Sequence, residues 1–179
     1  MGKILSNLAK TAALLVGLPA AGLFAYDVIA IKPHLAQIEG ILSQANPQDA
    51  APPLLVRNLI DASSESPTPY ATSLVTRRFY SDLSQGEWHV RNGLWRILLP
   101  MHFSKSEMYG FYATLAPNGT DLGLSNYARR EFGKALNSLS TTEAAQTVAI
   151  TRAPSIFLRD RNRHSQYAAV LLERARLAP

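Results

Sequence analysis

The chain has 179 residues, a formal net charge of +5 and an isoelectric point near 9.7. Its length allows one domain and an additional segment. A hydrophobic content of 47% is too high for a disordered chain, and the sequence has no cysteine, which excludes disulfides and thiolate metal sites. The basic excess favours anionic partners such as phosphates, acidic lipids or nucleic acid.

The N-terminal segment predicts a membrane anchor. Residues 11–31 (TAALLVGLPAAGLFAYDVIAI) carry a single charge, Asp27. A helix of that length rises about 31 Å, which is enough to cross a bilayer. Lys3 and Lys10 precede the segment. The chain is therefore expected to pass once through the inner membrane, with residues 1–10 in the cytoplasm and the rest on the periplasmic or outer face.

Two alternatives stay open for this segment. One is a cleaved signal peptide, although residues 23–25 (LFA) place a leucine where the cleavage site prefers a small residue. The other is a buried core helix, which the Gly-Leu-Pro interruption at residues 17–19 suits and the flanking lysines do not.

The rest of the chain predicts a short helix, a linker and a mainly α domain. Apolar residues at helical spacing indicate an amphipathic helix over residues 32–42, and the proline-rich stretch at 43–53 is typical of a linker. Residues 32–53 therefore connect the anchor to a domain over 54–179, in which no long alternating strand pattern occurs.

Several helix boundaries in this domain can be predicted from local signals. The patterns SKSE at 104–107 and STTE at 140–143 both fit a capping box, in which serine and glutamate satisfy each other's exposed amides. Gly133 allows a helix to end, and Pro154 is expected to end the helix that the second box begins. A last helix over 163–177 is expected to bury a stripe that contains Tyr167, Val170 and Leu171.

Residues 104–155 carry a series of motifs in a fixed order. The motifs are Lys105 with Glu107, Gly119 with Gly123, EFGK at 131–134, EAA at 143–145 and APS at 153–155. This series resembles the C-terminal half of glycosyltransferase family 51, the peptidoglycan transglycosylase domain of class A penicillin-binding proteins and monofunctional transglycosylases. The resemblance implies a lysozyme-like, mainly α fold, and this half of the family domain is largely scaffold.

The resemblance implies substrate-binding residues further upstream. The stretch ATSLVTRRFYSDL at 71–83 aligns with the family motif GGSTITQQLAKN, which lines the substrate cleft. Ser73 and Thr76 match the motif, whereas Arg77 and Arg78 stand at the two glutamines. By this alignment, Ser73, Thr76, Arg77 and Arg78 are expected to contact the substrate.

The two carboxylates of the family are poorly matched. Asn92 stands where the alignment expects the second glutamate, and Arg91 beside it adds a positive charge. The candidate for the first, catalytic glutamate is Glu65, but Ser66 replaces the aspartate that should follow. About six residues separate Glu65 from the middle motif, where the family has some forty that help to hold the lipid-linked substrate. The alternative for Glu65 is a solvated residue in a loop rich in serine and proline.

These features predict a bacterial cell-wall protein and leave its activity open. One hypothesis is a catalytically impaired transglycosylase, a pseudoenzyme, that binds lipid-linked peptidoglycan precursor, a glycan strand or other cell-wall synthesis proteins at the membrane. The alternative is an active peptidoglycan glycosyltransferase with Glu65 as general base, or else a muramidase that uses the same carboxyl. No cofactor is expected, although the resemblance admits a divalent cation.

Two further classes receive little support. The four histidines, at positions 34, 89, 102 and 164, lack the spacing of a zinc site, so no protein metal site is predicted. Nucleic acid is not an expected partner, because an exported domain is kept away from it and no run alternates basic and aromatic residues.

Overall fold

The computed structural model describes residues 15, 17–64 and 66–177. The chain divides between Gln37 and Ile38 into two compact units. Helices account for most of the described residues, and in this part of the chain there is no strand beyond an isolated bridge between Pro117 and Leu122. The prediction of a mainly α protein is confirmed.

The N-terminal unit does not contain the predicted membrane anchor. A helix over residues 17–26, α1, changes into a π-helical turn at Asp27–Ile31 and a 3-10 turn at Lys32–His34. The Asp27 carboxylate lies 3.9 Å from the Lys32 Nζ.

No helix within the described residues is both long and apolar enough to cross a membrane. The prediction of a single-pass anchor over 11–31, and of the inner-membrane location derived from it, is therefore wrong. Within the described residues, the α-helical geometry changes to a π-helical turn at a charged residue, Asp27. The predicted tail over 1–10, together with residues 11–14 and 16, lies outside the described part of the chain.

The chain continues through ten further helices among the described residues. They are α2 (Leu35–Ser43), α3 (Pro47–Ala50), α4 (Leu54–Ser64), α5 (Pro67–Phe79), α6 (Gln85–Leu98), α7 (Lys105–Leu115), α8 (Leu124–Phe132), α9 (Thr141–Ala149), α10 (Pro154–Arg159) and α11 (Arg161–Leu177). Short 3-10 turns at Leu99–Met101, Leu136–Ser138 and Ile150–Arg152 follow α6, α8 and α9.

The predicted helix starts are confirmed. Ser104 with Glu107 begins α7, and Ser140 with Glu143 begins α9, each as a complete capping box. A third capping box, Ser84 with Glu87, begins α6 and was not predicted. In each box the serine hydroxyl accepts from an exposed amide while the glutamate accepts from the serine amide, so two donors are satisfied.

The helix ends agree with the predictions in part. Gly133 ends α8 in the left-handed conformation with φ of 67°, as expected of a C-terminal glycine. Pro154, however, is the first residue of α10, because α9 already ends at Ala149 and continues as a 3-10 turn. In α11 the buried stripe contains Leu171 as predicted, but Val170 is 44% exposed.

The core of the second unit is built around α7. This helix packs against α5 and α3, while α9 packs against α4 and α11. Gly110 in α7 allows the close approach of α3, since a Cβ at this position would lie 2.5 Å from the Ala50 carbonyl oxygen. The segment 43–53 thus contributes a packed turn, with Asp49 only 4% exposed, where its composition predicts a linker.

Candidate functional site

A pocket of about 180 Å³ lies between the C-terminal end of α4, the first turn of α5, and parts of α7, α9 and α11. We call it the Tyr70 pocket. Its lining is formed mainly by hydroxyl groups, tyrosine rings and one guanidinium, from Ser63, Ser64, Pro69, Tyr70, Tyr112, Val148, Thr151, Arg152 and Tyr167. None of these described residues carries a carboxylate.

The floor of the pocket is a fixed network of hydroxyl groups. The Thr151 hydroxyl donates to the Val148 carbonyl oxygen at 2.9 Å, so its oxygen accepts from the Tyr112 hydroxyl at 2.8 Å. The Tyr70 hydroxyl donates to the Thr151 carbonyl oxygen at 3.3 Å. Burial raises the pKa of Tyr112 to about 12, so this phenol stays protonated at neutral pH and serves as a donor.

Two arginines act on the Tyr70 phenol. Burial raises the pKa of Tyr70, while the positive charges of Arg77 and Arg152 oppose that rise. Arg77 lies on α5, seven residues after Tyr70 and hence on the same side of the helix, and Arg152 ends the 3-10 turn after α9. The pocket therefore combines hydroxyl groups with a positive potential, which suits a polar anion.

A second cluster lies where α5 ends and α6 begins. The Arg77 guanidinium lies 5.1 Å from the centre of the Trp88 ring, and the Arg91 guanidinium lies 4.1 Å from that of Tyr80. A pocket of about 380 Å³ is lined here by Arg77, Tyr80, Ser81, Leu83 and Trp88. We call this cluster the arginine–aromatic corner. Stacking on a ring occupies the face of a guanidinium, while its N–H groups point outward in the plane and can bind phosphate oxygens.

The structure brings together two of the residues predicted from the sequence. Arg77 and Arg91 both belong to the arginine–aromatic corner, and Arg77 also connects that corner to Tyr70. Arg78, the neighbour of Arg77, is exposed and lines neither pocket.

The two predicted hydroxyl residues are used within their own helix. Ser73 Oγ donates to the Pro69 carbonyl oxygen at 2.9 Å, and Thr76 Oγ1 donates to the Thr72 carbonyl oxygen at 2.8 Å. Thr76 is fully buried. The placement of Ser73 and Thr76 therefore favours a role in α5 over a role in contacting a ligand.

Of the two positions aligned with the family's glutamates, Asn92 lies within the described residues and Glu65 lies outside them. Asn92 is half-buried on α6, and its side-chain oxygen has no hydrogen-bond partner among the described residues. It lines neither pocket. Glu65 lies outside the described residues, but Ser64, which precedes it in the chain, lines the Tyr70 pocket.

Sequence reasoning missed Tyr70, Thr151 and Arg152. Tyr70 follows the Pro-Thr-Pro stretch that begins α5, and Thr151 with Arg152 directly precedes the APS motif, which the resemblance assigns to the scaffold. An arginine two residues before a helix-starting proline is the available signal, but nothing in the sequence connects it to Tyr70, 82 positions earlier.

Within the described part of the chain, no group of three or more histidine, aspartate or glutamate side chains is placed to hold a metal ion. The hydroxyl and guanidinium groups of the Tyr70 pocket are likewise not a ligand set for a divalent cation, which requires several carboxylate or carbonyl oxygens. No step of a mechanism is assigned to such an ion.

No protein-family model matches the sequence, and neither a curated protein nor a solved structure shows significant similarity to it. The family resemblance therefore stays a hypothesis.

Proposed function

We propose that the protein is a transglycosylase-like binding protein of bacterial cell-wall synthesis, with a lysozyme-like α fold, that holds a phosphate-bearing glycan and turns it over inefficiently. The ligand class is a lipid-linked disaccharide diphosphate or the glycan made from it. One observation carries the proposal: the Tyr70 pocket combines hydroxyl groups with the Arg152 guanidinium, and its described lining has no carboxylate. Arg77 lies two turns further along α5 from Tyr70 and lines the neighbouring corner.

The two kinds of polar group match the two parts of such a ligand. Sugar hydroxyls can donate to the hydroxyl oxygens of Ser63, Ser64 and Tyr70, because each of these hydroxyls already donates its own proton to a backbone carbonyl. The diphosphate pairs with guanidinium N–H groups, which bind phosphate oxygens in a bidentate geometry. Arg77 is oriented for this role by its contact with the Trp88 ring.

Inefficient turnover follows from the chemistry of the described groups. Glycosyl transfer requires a base that removes the proton of the attacking sugar hydroxyl. Tyr112, with a pKa of about 12, does not act as a base at neutral pH, and the Asn92 amide cannot accept a proton as a carboxylate does. The loss of one proton-transfer group lowers a rate by about 10²–10⁴-fold.

A second candidate function is supported by the position of Ser64. Ser64 lines the Tyr70 pocket, and Glu65 directly follows it in the chain. Glu65 is therefore the candidate general base for this pocket. On this alternative the protein is an active glycosyltransferase, or a muramidase, that depends on one carboxyl. The variant Glu65→Gln separates this alternative from the binding function, since it removes the ionisable group and keeps the shape.

The test measures binding of a purified lipid-linked disaccharide diphosphate in detergent, together with glycan synthesis from it. We expect Arg77→Ala and Arg152→Ala to weaken binding about three- to tenfold at low salt, because each removes an exposed, charge-assisted contact. Arg174→Ala, which removes one exposed positive charge from the end of α11, is the matched control and should bind like wild type. Equal affinity in all four proteins contradicts the proposal, as does rapid glycan synthesis that Glu65→Gln abolishes.

A further inference from the structure

The Tyr70 pocket is too small to enclose a ligand of the proposed kind. Its volume of about 180 Å³ lies below the roughly 300–1,000 Å³ of typical small-molecule sites. A bound ligand therefore has to extend beyond it. A groove of about 440 Å³ adjoins the pocket and shares Arg152 and Tyr167 with it.

This groove runs between α10 and α11, and we call it the α10–α11 groove. Beyond the two shared residues it is lined by Ala153, Ile156, Phe157, Arg163, Gln166 and Val170. The Phe157 ring is only 4% exposed and stacks on Tyr167, with ring centres 5.6 Å apart and planes 26° apart. The floor is therefore a packed aromatic surface that keeps its shape without a ligand.

The walls of the groove are apolar and open to solvent. Ile156 on α10 is 45% exposed, and Val170 on α11 is 44% exposed. Covering such side chains removes apolar surface from water, which is favourable for any apolar group that fits between them. The lining has two charged residues, Arg152 at the junction with the Tyr70 pocket and Arg163 on α11.

The combined shape has a charged end and an apolar extension. A guanidinium at the junction suits a phosphate, and the surface beyond it suits a hydrocarbon chain. We propose that the α10–α11 groove binds the aliphatic chain of an amphiphilic phosphate whose head group occupies the Tyr70 pocket. This inference rests on the proposed function for the identity of the head group, and it adds the part of the protein that recognises the chain.

The charges of the groove favour this occupant over an acidic peptide. Such a peptide would need cations spaced along the groove, whereas the arginines that line it are one at the junction and one on α11. Between them the described lining is mostly apolar, which offers a peptide backbone few hydrogen-bond partners. A hydrocarbon chain has no such groups to satisfy.

The test uses a series of alkyl phosphates, from butyl to dodecyl phosphate below their micelle concentrations, and measures affinity for the full chain by calorimetry. We expect affinity to rise about fourfold for each methylene that the groove buries, and to level off when the groove is filled. Val170→Asp and Ile156→Ser should abolish most of the dependence of affinity on chain length. Both positions are about half-exposed, so the variants are expected to fold.

Leu54→Asp is the matched control. Leu54 is 73% exposed at the start of α4, the opposite end from Ser63 and Ser64, and lines neither the pocket nor the groove. This variant should retain the full dependence on chain length. Affinity independent of chain length in the wild type, or an equal dependence in Val170→Asp, would overturn the inference. Arg77→Ala should bind butyl phosphate more weakly and keep the dependence of affinity on chain length. This result would support the inference, because it separates the contribution of the groove from that of the head group.

Discussion

Asp49 caps helix α8 from a distant part of the chain. Its Oδ1 accepts hydrogen bonds from both the backbone N–H and the hydroxyl of Ser125, each at 2.9 Å, across 76 positions in sequence. The N-terminal neighbour of α8 is Gly123, which has no side chain to cap the helix. A Cβ at Gly123 would lie 3.0 Å from Asp49 Oδ2, so the glycine also makes room for the carboxylate.

Loss of this cap should lower stability in a pH-dependent way. Asp49→Ala leaves the Ser125 amide and hydroxyl without their acceptor, and we expect the free energy of unfolding to fall by about 1–3 kcal/mol. Asp49→Asn keeps an acceptor oxygen and is the matched variant for the pH measurement. Urea unfolding monitored by circular dichroism gives the free energy of unfolding of each variant.

The sign of the pH effect follows from the raised pKa of Asp49. Burial raises this pKa from 3.8 to about 6, against the opposing effects of the Ser125 hydrogen bonds and the Arg129 charge. The contribution of Asp49 is therefore fully present below about pH 4 and is lost as pH rises through 6. Asp49→Asn cannot ionise, so its stability relative to wild type should increase between pH 4 and 7. A difference that stays constant over this interval would show that Asp49 does not titrate as described.

Gly110→Ala tests the close contact between α3 and α7. The added methyl would lie 2.5 Å from the Ala50 carbonyl oxygen and 2.9 Å from a methyl carbon of Leu42. We expect a loss of about 1–3 kcal/mol from overpacking, which outweighs the gain of about 1 kcal/mol from the higher helix propensity of alanine.

Gly93→Ala is the control for this change. Gly93 lies within α6, and a Cβ there would meet nothing within 4 Å. The same substitution should therefore stabilise the protein by about 0.5–1 kcal/mol. Urea unfolding measures the free energy of unfolding of both variants. An equal change in this free energy, in the same direction, would contradict the packing described for α7.

The sequence predicts the fold where the signals are local. Ser104 with Glu107, and Ser140 with Glu143, lie three residues apart, so a single stretch of sequence contains both partners of each cap. The cap formed by Asp49 depends on a residue 76 positions away, and composition at 43–53 indicates a linker instead. The anchor prediction failed because hydropathy and length do not report where a helix changes its geometry.

The candidate site was predicted in part for the same reason. Arg77 and Arg91 could be named because the family motifs point to positions in a single stretch of sequence. Tyr70 and Arg152 line one pocket because α5 packs against α7, and Tyr112 of α7 hydrogen-bonds Thr151 in the 3-10 turn after α9. The roles of Ser73 and Thr76 depend on helix phase, which the alignment to a motif does not specify.

Glu143 should stabilise the protein at neutral pH and cease to do so in acid. Hydrogen bonds from Lys134, at 2.7 and 2.9 Å, and from the Ser140 amide lower its pKa to about 2. A lowered pKa means that the contribution is present above the ordinary value of 4.5 and is lost as pH falls through about 2. Glu143→Gln should therefore lower the melting temperature at pH 7 and have little effect near pH 2.

Glu173→Gln is the control for Glu143→Gln. Glu173 is exposed on α11, and the Arg176 nitrogen lies 4.0 Å from its carboxylate, a distance at which an exposed pair contributes little. Its melting temperature should match that of the wild type at both pH values. Similar losses in the two variants would indicate a general charge effect in place of the Ser140 cap.

The adjacent residues Arg77 and Arg78 should differ in their contribution to binding. Both side chains are exposed, but Arg77 lies over the Trp88 ring and lines the arginine–aromatic corner, whereas Arg78 lines neither pocket. We expect Arg77→Ala to weaken binding of a lipid-linked disaccharide diphosphate about three- to tenfold at low salt, and Arg78→Ala to change it less than about twofold. The difference should shrink as salt rises to about 150 mM, because exposed charges are screened.

Trp88 gives this comparison a spectroscopic readout. The chain contains two tryptophans, and Trp95 is fully buried, so a phosphate that binds the Arg77 guanidinium over the Trp88 ring should change mainly the emission of Trp88. We expect the change on ligand addition to be present in the wild type and in Arg78→Ala, and absent in Trp88→Phe and Arg77→Ala. Equal affinities for Arg77→Ala and Arg78→Ala would mean that only total charge matters. In that case the arginine–aromatic corner would not be part of the binding site, even if the Tyr70 pocket still binds the ligand.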